Sequence, residues 1–339
     1  MSHEIDATLG KPAFAYVGDA PWWDTDGFKG TLMQDGATRE DWVTSSGLTY
    51  KVQRAKVRYA PGAAASNDPS QYREYPGKYV LVRNDSYAPL AIATDQFDLS
   101  FQPRNAAEFA WQWVDLSAGT METMGAIFGG AQCFAQIRIG KNVSIVPGDD
   151  VYPFIYVGTG FDGKTKTRAR VTAQRVVCRN TQLMMLSGTT PVEYTQSHKT
   201  PFNADKARRI IEQGLSSFGA YCAQARLMAK VKLDASKAMD MTARVLDFDL
   251  ANHVALTAEG KDSKTPRGYD LILSLFDGKA RGDSINGVHG TAWGWLNAVT
   301  EYADHHKRTS SVENRFDDAL TGAGADLKDA AFEIATSIL

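Results

Sequence analysis

The sequence predicts an α+β fold: an antiparallel sheet with a hairpin–helix–sheet core, followed by a helical C-terminal half. Apolar, β-branched and aromatic runs broken by turn residues crowd into residues 78–178. After residue 200 apolar residues recur at helical spacing instead. Strands and helices do not alternate along the chain, which argues against a doubly wound parallel sheet.

The elements follow in order. Residues 1–76 are rich in Gly, Pro and Trp and read as an irregular segment pinned by Pro21, Trp22, Trp23 and Trp42, ending in a mobile loop over 60–76. Residues 77–190 read as the sheet core. Lys78 to Arg83 and Leu90 to Thr94 flank the turn-prone Asn84-Asp85-Ser86 and predict a hairpin. Pro103 starts a helix to Leu116, with Ala107, Ala110, Trp111 and Val114 on one face. Strands are predicted at 120–128, 133–139, 151–157 and 167–178, and Asn180 or Thr181 caps a short helix to Leu186. Residues 191–339 form the helical region, with helices over 203–230, 236–246, 270–276, 292–305 and 326–338.

A chain of 339 residues with a formal net charge of -2 has no global attraction for nucleic acid or anionic membrane, so such binding needs a local patch. The start carries no basic region followed by an apolar run, and no apolar stretch is long enough to span a bilayer. The cysteines Cys133, Cys178 and Cys222 are odd in number and far apart, which suits buried thiols in a reducing compartment.

Gly158 to Thr165 matches the phosphate-cradling P-loop spacing and follows an apolar strand, and Asp277 follows the apolar run Leu271 to Phe276. A P-loop needs a helix opening at Lys164-Thr165, whereas Lys166 to Thr172 favour strand, so a glycine-rich hairpin turn is the better expectation. A second signal is a basic row without an acidic residue: Lys164, Lys166, Arg168, Arg170, Arg175 and Arg179. On a strand Arg168 and Arg170 share a face, and like charges on one face repel unless an anion offsets them. The competing reading is a sheet face balanced by acids elsewhere. Tyr152, Phe154 and Tyr156 share a strand face near this row, with Phe161 beyond it. They would stack bases if exposed, or pack in the core if buried. Glu301 with His305, and Asp304 with Arg308, lie one helical turn apart and read as stabilising pairs rather than metal ligands. No nucleophile, paired catalytic carboxylates, metal set or cofactor motif emerges.

Met1 to Ile5 with Pro21-Trp22, Phe161 to Gly163, Arg175 to Thr181, and Thr291 to His305 together resemble the phage/plasmid-like proteins of unknown function. Where many members carry Trp-His, this chain has Trp22-Trp23. The resemblance implies a phage or plasmid origin and a host-cytoplasm location, and it brings no catalytic residues. The predicted hairpin–helix–sheet–helix order is also similar in topology to Rad52-like single-strand annealing proteins, which implies a homo-oligomer.

The expected function is therefore single-stranded DNA binding, extending to annealing, in phage or plasmid replication or recombination. Lys164, Lys166, Arg168, Arg170, Arg175 and Arg179 would hold phosphates, with Tyr156 and Phe161 stacking bases and no cofactor or metal required. The alternatives are a P-loop-like nucleotide-binding enzyme and a non-catalytic interaction or host-takeover protein.

Overall fold

The computed structural model describes residues 14–21, 29–62, 67–177, 181–183, 185–186, 190–191 and 193–339. Its elements in chain order begin with strands β1 (Phe14–Tyr16) and β2 (Thr31–Leu32) and helix α1 (Arg39–Ser45). Strands β3 (Val52–Tyr59), β4 (Arg73–Arg83) and β5 (Pro89–Thr94) precede helix α2 (Pro103–Ser117). Then come β6 (Thr120–Ile127), β7 (Gln132–Arg138), β8 (Val143–Val146), β9 (Asp149–Gly160) and β10 (Thr167–Arg175). Short strands β11 (Thr181–Leu183), β12 (Met185–Leu186), β13 (Thr190–Pro191) and β14 (Glu193–Gln196) follow. The chain ends in α3 (Ala204–Met228), α4 (Ala235–Val245), α5 (Leu250–Ala258), α6 (Tyr269–Ser274), α7 (Ala292–Glu301), α8 (Val312–Thr321) and α9 (Ala323–Thr336). The fold is α+β, as its sequence predicts. No helix of the described residues is long and apolar enough to cross a membrane.

The chain divides into two units. The first comprises the described residues of Met1–Ile139, Ile155–Arg170 and Glu193–Ile211. Its main sheet has the order β10-β9-β7-β6-β1-β2, with β14 also on β10, and a separate antiparallel sheet has the order β3-β4-β5. Helix α2 buries Ala106, Ala107, Phe109, Ala110 and Trp113 and packs on β6 and β7, strands buried along almost their whole length. Phe101, Phe109, Phe202 and Tyr194 pack around one another, Phe202 centring on the other three at 4.0–5.5 Å. Such ring contacts add to the area that the aromatics bury. Helix α1 was missing from the sequence expectation; Thr38 and Asp41 form a reciprocal capping box at its start.

The second unit comprises Gly140–Phe154, Val171–Val192 and Glu212–Leu339. Here β8 pairs with the start of β9, and β11 with the end of β10. The short helix expected over 181–186 is instead β11 and β12. Thr172, Ala173 and Gln174 of β10 offer a strand partner to Leu183, Gln182 and Thr181, and ladder pairing outweighs the local N-cap preference of Thr181. Helix α7 is buried at every position from Ala292 to Glu301 and packs on α9. That burial demands a close approach: a Cβ at Gly294 would stand 2.4 Å from the Val288 carbonyl oxygen, so only glycine fits there.

Candidate nucleic-acid interface

The basic row of β10 is divided by burial. Lys164 and Lys166 are exposed, Arg168 is half-buried, and Arg170 and Arg175 are each only 3% exposed. Arg168 and Arg170 do share a face, and the anion that offsets them is internal. Glu193, opposite Arg170 in β14, has Oε1 3.4 Å from Nη1 of Arg168 and 3.7 Å from Nη1 of Arg170. The Arg170 guanidinium also lies 5.5 Å from the centre of the Tyr156 ring. Arg175, in the second unit, is paired with Asp149 at 2.5 Å. Burying a guanidinium requires such a carboxylate, and these two arrive from distant positions in the chain. Tyr156 is 6% exposed and Phe161 0%, so both belong to the core of the first unit rather than to a stacking surface. Arg179 lies outside the described residues. Of the expected phosphate contacts, Lys164 and Lys166 remain open to solvent, with Arg168 partly so.

The glycine-rich run Gly158 to Thr165 turns from β9 directly into β10, with no helix at Lys164. Two of the backbone N–H groups of the run are already occupied. Asp162 Oδ1 accepts from the N–H groups of Lys164 and Thr165 at 2.8 and 2.7 Å. Its Oδ2 accepts from the Thr165 hydroxyl at 2.7 Å and from Gln132 Nε2 at 3.1 Å. The built-in carboxylate takes the place of a bound anion. Burial is the largest single effect on Asp162 and opposes ionisation. The hydrogen bonds from Thr165, Lys164 and Gln132 together outweigh it, holding the carboxyl below its usual range.

A lowered folded-state pKa adds stability that is present above the unfolded value of about 3.9 and lost as pH falls through the folded value. Asp162→Asn is therefore expected to destabilise the first unit by about 1–2 kcal/mol at pH 7, a range taken from hydrogen bonds to charged groups and discounted for partial exposure. Urea unfolding at a series of pH values checks this: the gap between variant and wild type should narrow below about pH 4.

A basic surface that sequence reasoning missed lies on β3 and β4. Residues 53–59 and 73–79 carry Arg54, Lys56, Arg58, Arg73 and Lys78 against the single carboxylate Glu74. The strands pair with Lys56 opposite Tyr79 and Arg58 opposite Glu74, so Tyr75 to Lys78 bulge out opposite Val57 alone. The result is an arm exposed along β3 beyond Val52 and along the first half of β4. Tyr59 and Tyr75 are 45% and 53% exposed, with ring centres 6.4 Å apart and nearly perpendicular. Glu74 pairs with Lys56 at 3.0 Å and with Arg58 at 3.5 Å. Exposed ion pairs of this kind are worth little and exchange readily for other anions.

Beside the arm lies a cleft of about 280 Å³, also within the first unit, lined by Lys78, Lys164, Lys166 and Lys199 with Thr94, Ile92, Phe97 and His198. Its lining includes no carboxylate. Phe97 stacks on His198 with ring centres 4.4 Å apart and planes 8° from parallel. Burial, the largest influence on His198, holds its pKa below the usual value, so the ring is neutral at pH 7. Arg54 donates to the carbonyls of Asp95 and Phe97, which ties β3 to the segment that carries Phe97.

The profile of a family described as Domain of unknown function (DUF932) matches residues 90–320. The chain belongs to this family. Nothing among the curated proteins or the solved structures matches it. Lys164, Lys166 and Lys199 fall within the DUF932 span, whereas Lys78 and the arm precede it.

The DUF932 span also contains a buried polar cluster in the second unit. Asp149 accepts from Arg175 Nε at 2.5 Å and from Trp293 Nε1 at 2.7 Å. Arg175 in turn donates to the carbonyls of Arg281 and Gly282. Gly282 has φ +72°, and a Cβ there would meet Val177 at 2.8 Å and Arg175 at 3.0 Å. Glu301 and Asp304, expected to pair with His305 and Arg308, meet further partners in the fold. Residues Tyr302–His306 form a π-helical turn, which brings i and i+5 together, and Glu301 Oε1 stands 3.7 Å from His306 Nε2. Glu301 Oε2 accepts from the backbone N–H of Arg281, and Asp304 pairs with Lys328. Leu271 to Phe276 is helical, so Asp277 does not end a strand as a magnesium-holding carboxylate would. No group of three or more His, Cys, Asp or Glu among the described residues could hold a metal ion. Cys133 is buried against Tyr50, and burial pushes its thiol up to about 12. It stays protonated and is not a nucleophile.

Proposed function

We propose that this DUF932 protein binds single-stranded DNA along the β3–β4 arm and the lysines of the β9–β10 turn, and promotes strand annealing in phage or plasmid replication or recombination. The observation that supports it most is the arm, which carries exposed cations together with the exposed Tyr59 and Tyr75. Single-strand binders combine a cationic track for the backbone with rings on which any base can stack. The near-zero net charge makes such a local track necessary for binding. Annealing needs only that strands be held extended with accessible bases, so no nucleotide or metal enters the reading. A homo-oligomer acting in the host cytoplasm is part of the same proposal.

The test is fluorescence anisotropy of a labelled single-stranded oligonucleotide over a salt series. Lys56→Ala/Arg58→Ala/Arg73→Ala should weaken binding and flatten the salt dependence by about 2, at roughly 0.7 for each phosphate no longer neutralised. Tyr59→Ala and Tyr75→Ala should each cost about 1–3 kcal/mol with the salt slope unchanged. Absence of binding by the wild type at low salt overturns the proposal. Arg170 and Arg175 are poor probes because both are buried.

A further inference from the structure

We infer that the lysine-lined cleft is a receptor for a phosphomonoester: the 5′-phosphate of a DNA strand end or of a free nucleotide. For the strand end the inference rests on the nucleic-acid reading above; for the free nucleotide it stands alone. The cleft brings together Lys78 from β4, Lys164 and Lys166 from the β9–β10 turn, and Lys199 from the segment after β14. These ammonium groups come from three separate parts of the chain, and no carboxylate shares the lining with them.

Two carboxylates near the cleft, Asp162 and Asp98, act electrostatically on His198 of its lining, and each accepts hydrogen bonds within its own turn. Asp162 is held by the backbone and side chains of its own turn. Asp98 caps Ser100, accepting from its backbone N–H at 2.9 Å. His198 adds no charge at neutral pH, because burial depresses its pKa, and its stack with Phe97 instead supplies an apolar wall. The nearby Ile92 is 67% exposed. The site therefore concentrates cations beside apolar surface.

The amount of charge selects the ligand. An internal phosphodiester carries one negative charge, whereas a phosphomonoester carries about 1.5 to 2 near pH 7 and presents three acceptor oxygens. Lysine ammonium groups are compact point charges with three rotatable donors each, suited to several oxygens at once rather than to the planar fork that arginine recognises. The volume, about 280 Å³, is just below the range of about 300–1,000 Å³ for drug-sized ligand sites. It suits one nucleotide rather than a run of them.

The experiment uses the full-length protein. Anisotropy compares one labelled oligonucleotide carrying a 5′-phosphate with the same oligonucleotide carrying a 5′-hydroxyl, and calorimetry compares thymidine 5′-monophosphate with thymidine. The expected result is about tenfold tighter binding of the phosphorylated member of at least one pair. Lys164→Gln/Lys199→Gln should abolish that preference, and both side chains are exposed, so the fold is not at stake. Lys56→Ala/Arg58→Ala/Arg73→Ala should keep the preference for the phosphorylated strand end while weakening both oligonucleotides alike. A preference confined to the oligonucleotide identifies the strand end as ligand, and one confined to the nucleotide identifies the free monophosphate. Equal affinities within both pairs overturn this inference, even if both oligonucleotides bind tightly and the single-strand reading stands. Absence of oligonucleotide binding overturns that reading, and the nucleotide pair alone then decides the cleft.

Discussion

Asp149→Ala is expected to be the most damaging substitution in the second unit, at about 3–5 kcal/mol for stranding a buried arginine. The side chain of Asp149 is fully buried, and each of its oxygens has its own partner, Arg175 on one and the Trp293 indole on the other. Removing the carboxylate takes from the buried Arg175 the anion that its Nε meets, and takes from the Trp293 indole N–H its acceptor, at a further cost of about 1–3 kcal/mol. Total stabilities of ordinary domains are about 5–15 kcal/mol, so the variant should be close to unfolding at 37 °C. Thermal unfolding followed by tryptophan emission measures it directly, because Trp293 and Trp295 are buried in this unit. A shift of less than 3 °C would show that Asp149 is not the counter-charge that Arg175 requires.

Lys328→Met should lose a similar amount, about 3–5 kcal/mol. Lys328 is 0% exposed, donates to Asp304 at 2.6 Å and to the Ala319 carbonyl at 2.7 Å, and so joins α9 both to α8 and to the turn after α7. Methionine fills much of the same volume but leaves the Asp304 charge buried. The informative comparison is the double variant Asp304→Leu/Lys328→Met. Breaking a buried pair is costly, whereas replacing both partners by apolar groups of similar size is often neutral. The double variant should therefore regain most of the stability that the single variant loses. Additive losses in a denaturant titration would refute this account of the pair.

Helices α2, α3, α4, α7 and α9 were legible in the sequence to within a few residues, whereas α5 and α8 were not. The helix expected over 103–116 is α2, Pro103–Ser117, and the one expected over 203–230 is α3, Ala204–Met228. The arm was not legible, for a physical reason. Its strand β3 alternates Arg54, Lys56 and Arg58 with Ala55 and Val57, and both faces are largely exposed, so there is no buried apolar row for periodicity to detect. Conversely, the basic row of β10 was conspicuous in sequence because its counter-ions are remote. Glu193 lies 23 positions from Arg170 and Asp149 lies 26 from Arg175, separations that only strand pairing closes. Lys164 and Lys166 were readable as surface cations. Their grouping with Lys78 and Lys199 was not, since it depends on where β4 and the segment after β14 run.

The π-helical turn at Tyr302–His306 sets an angular phase. Each residue of an α-helix advances the side-chain direction by about 100°, and a π-turn absorbs one residue without advancing the helix by its full step. Everything after it, beginning with the lead into α8, is rotated relative to an uninterrupted continuation of α7. Rewinding this turn as regular α-helix at unchanged length would turn the following chain by about that one step. Asp304, which sits inside the turn, would swing with it away from Lys328. A substitution that favoured a regular helix here would thus change the direction of the chain without changing its length, whereas a one-residue deletion would remove the residue that the turn absorbs.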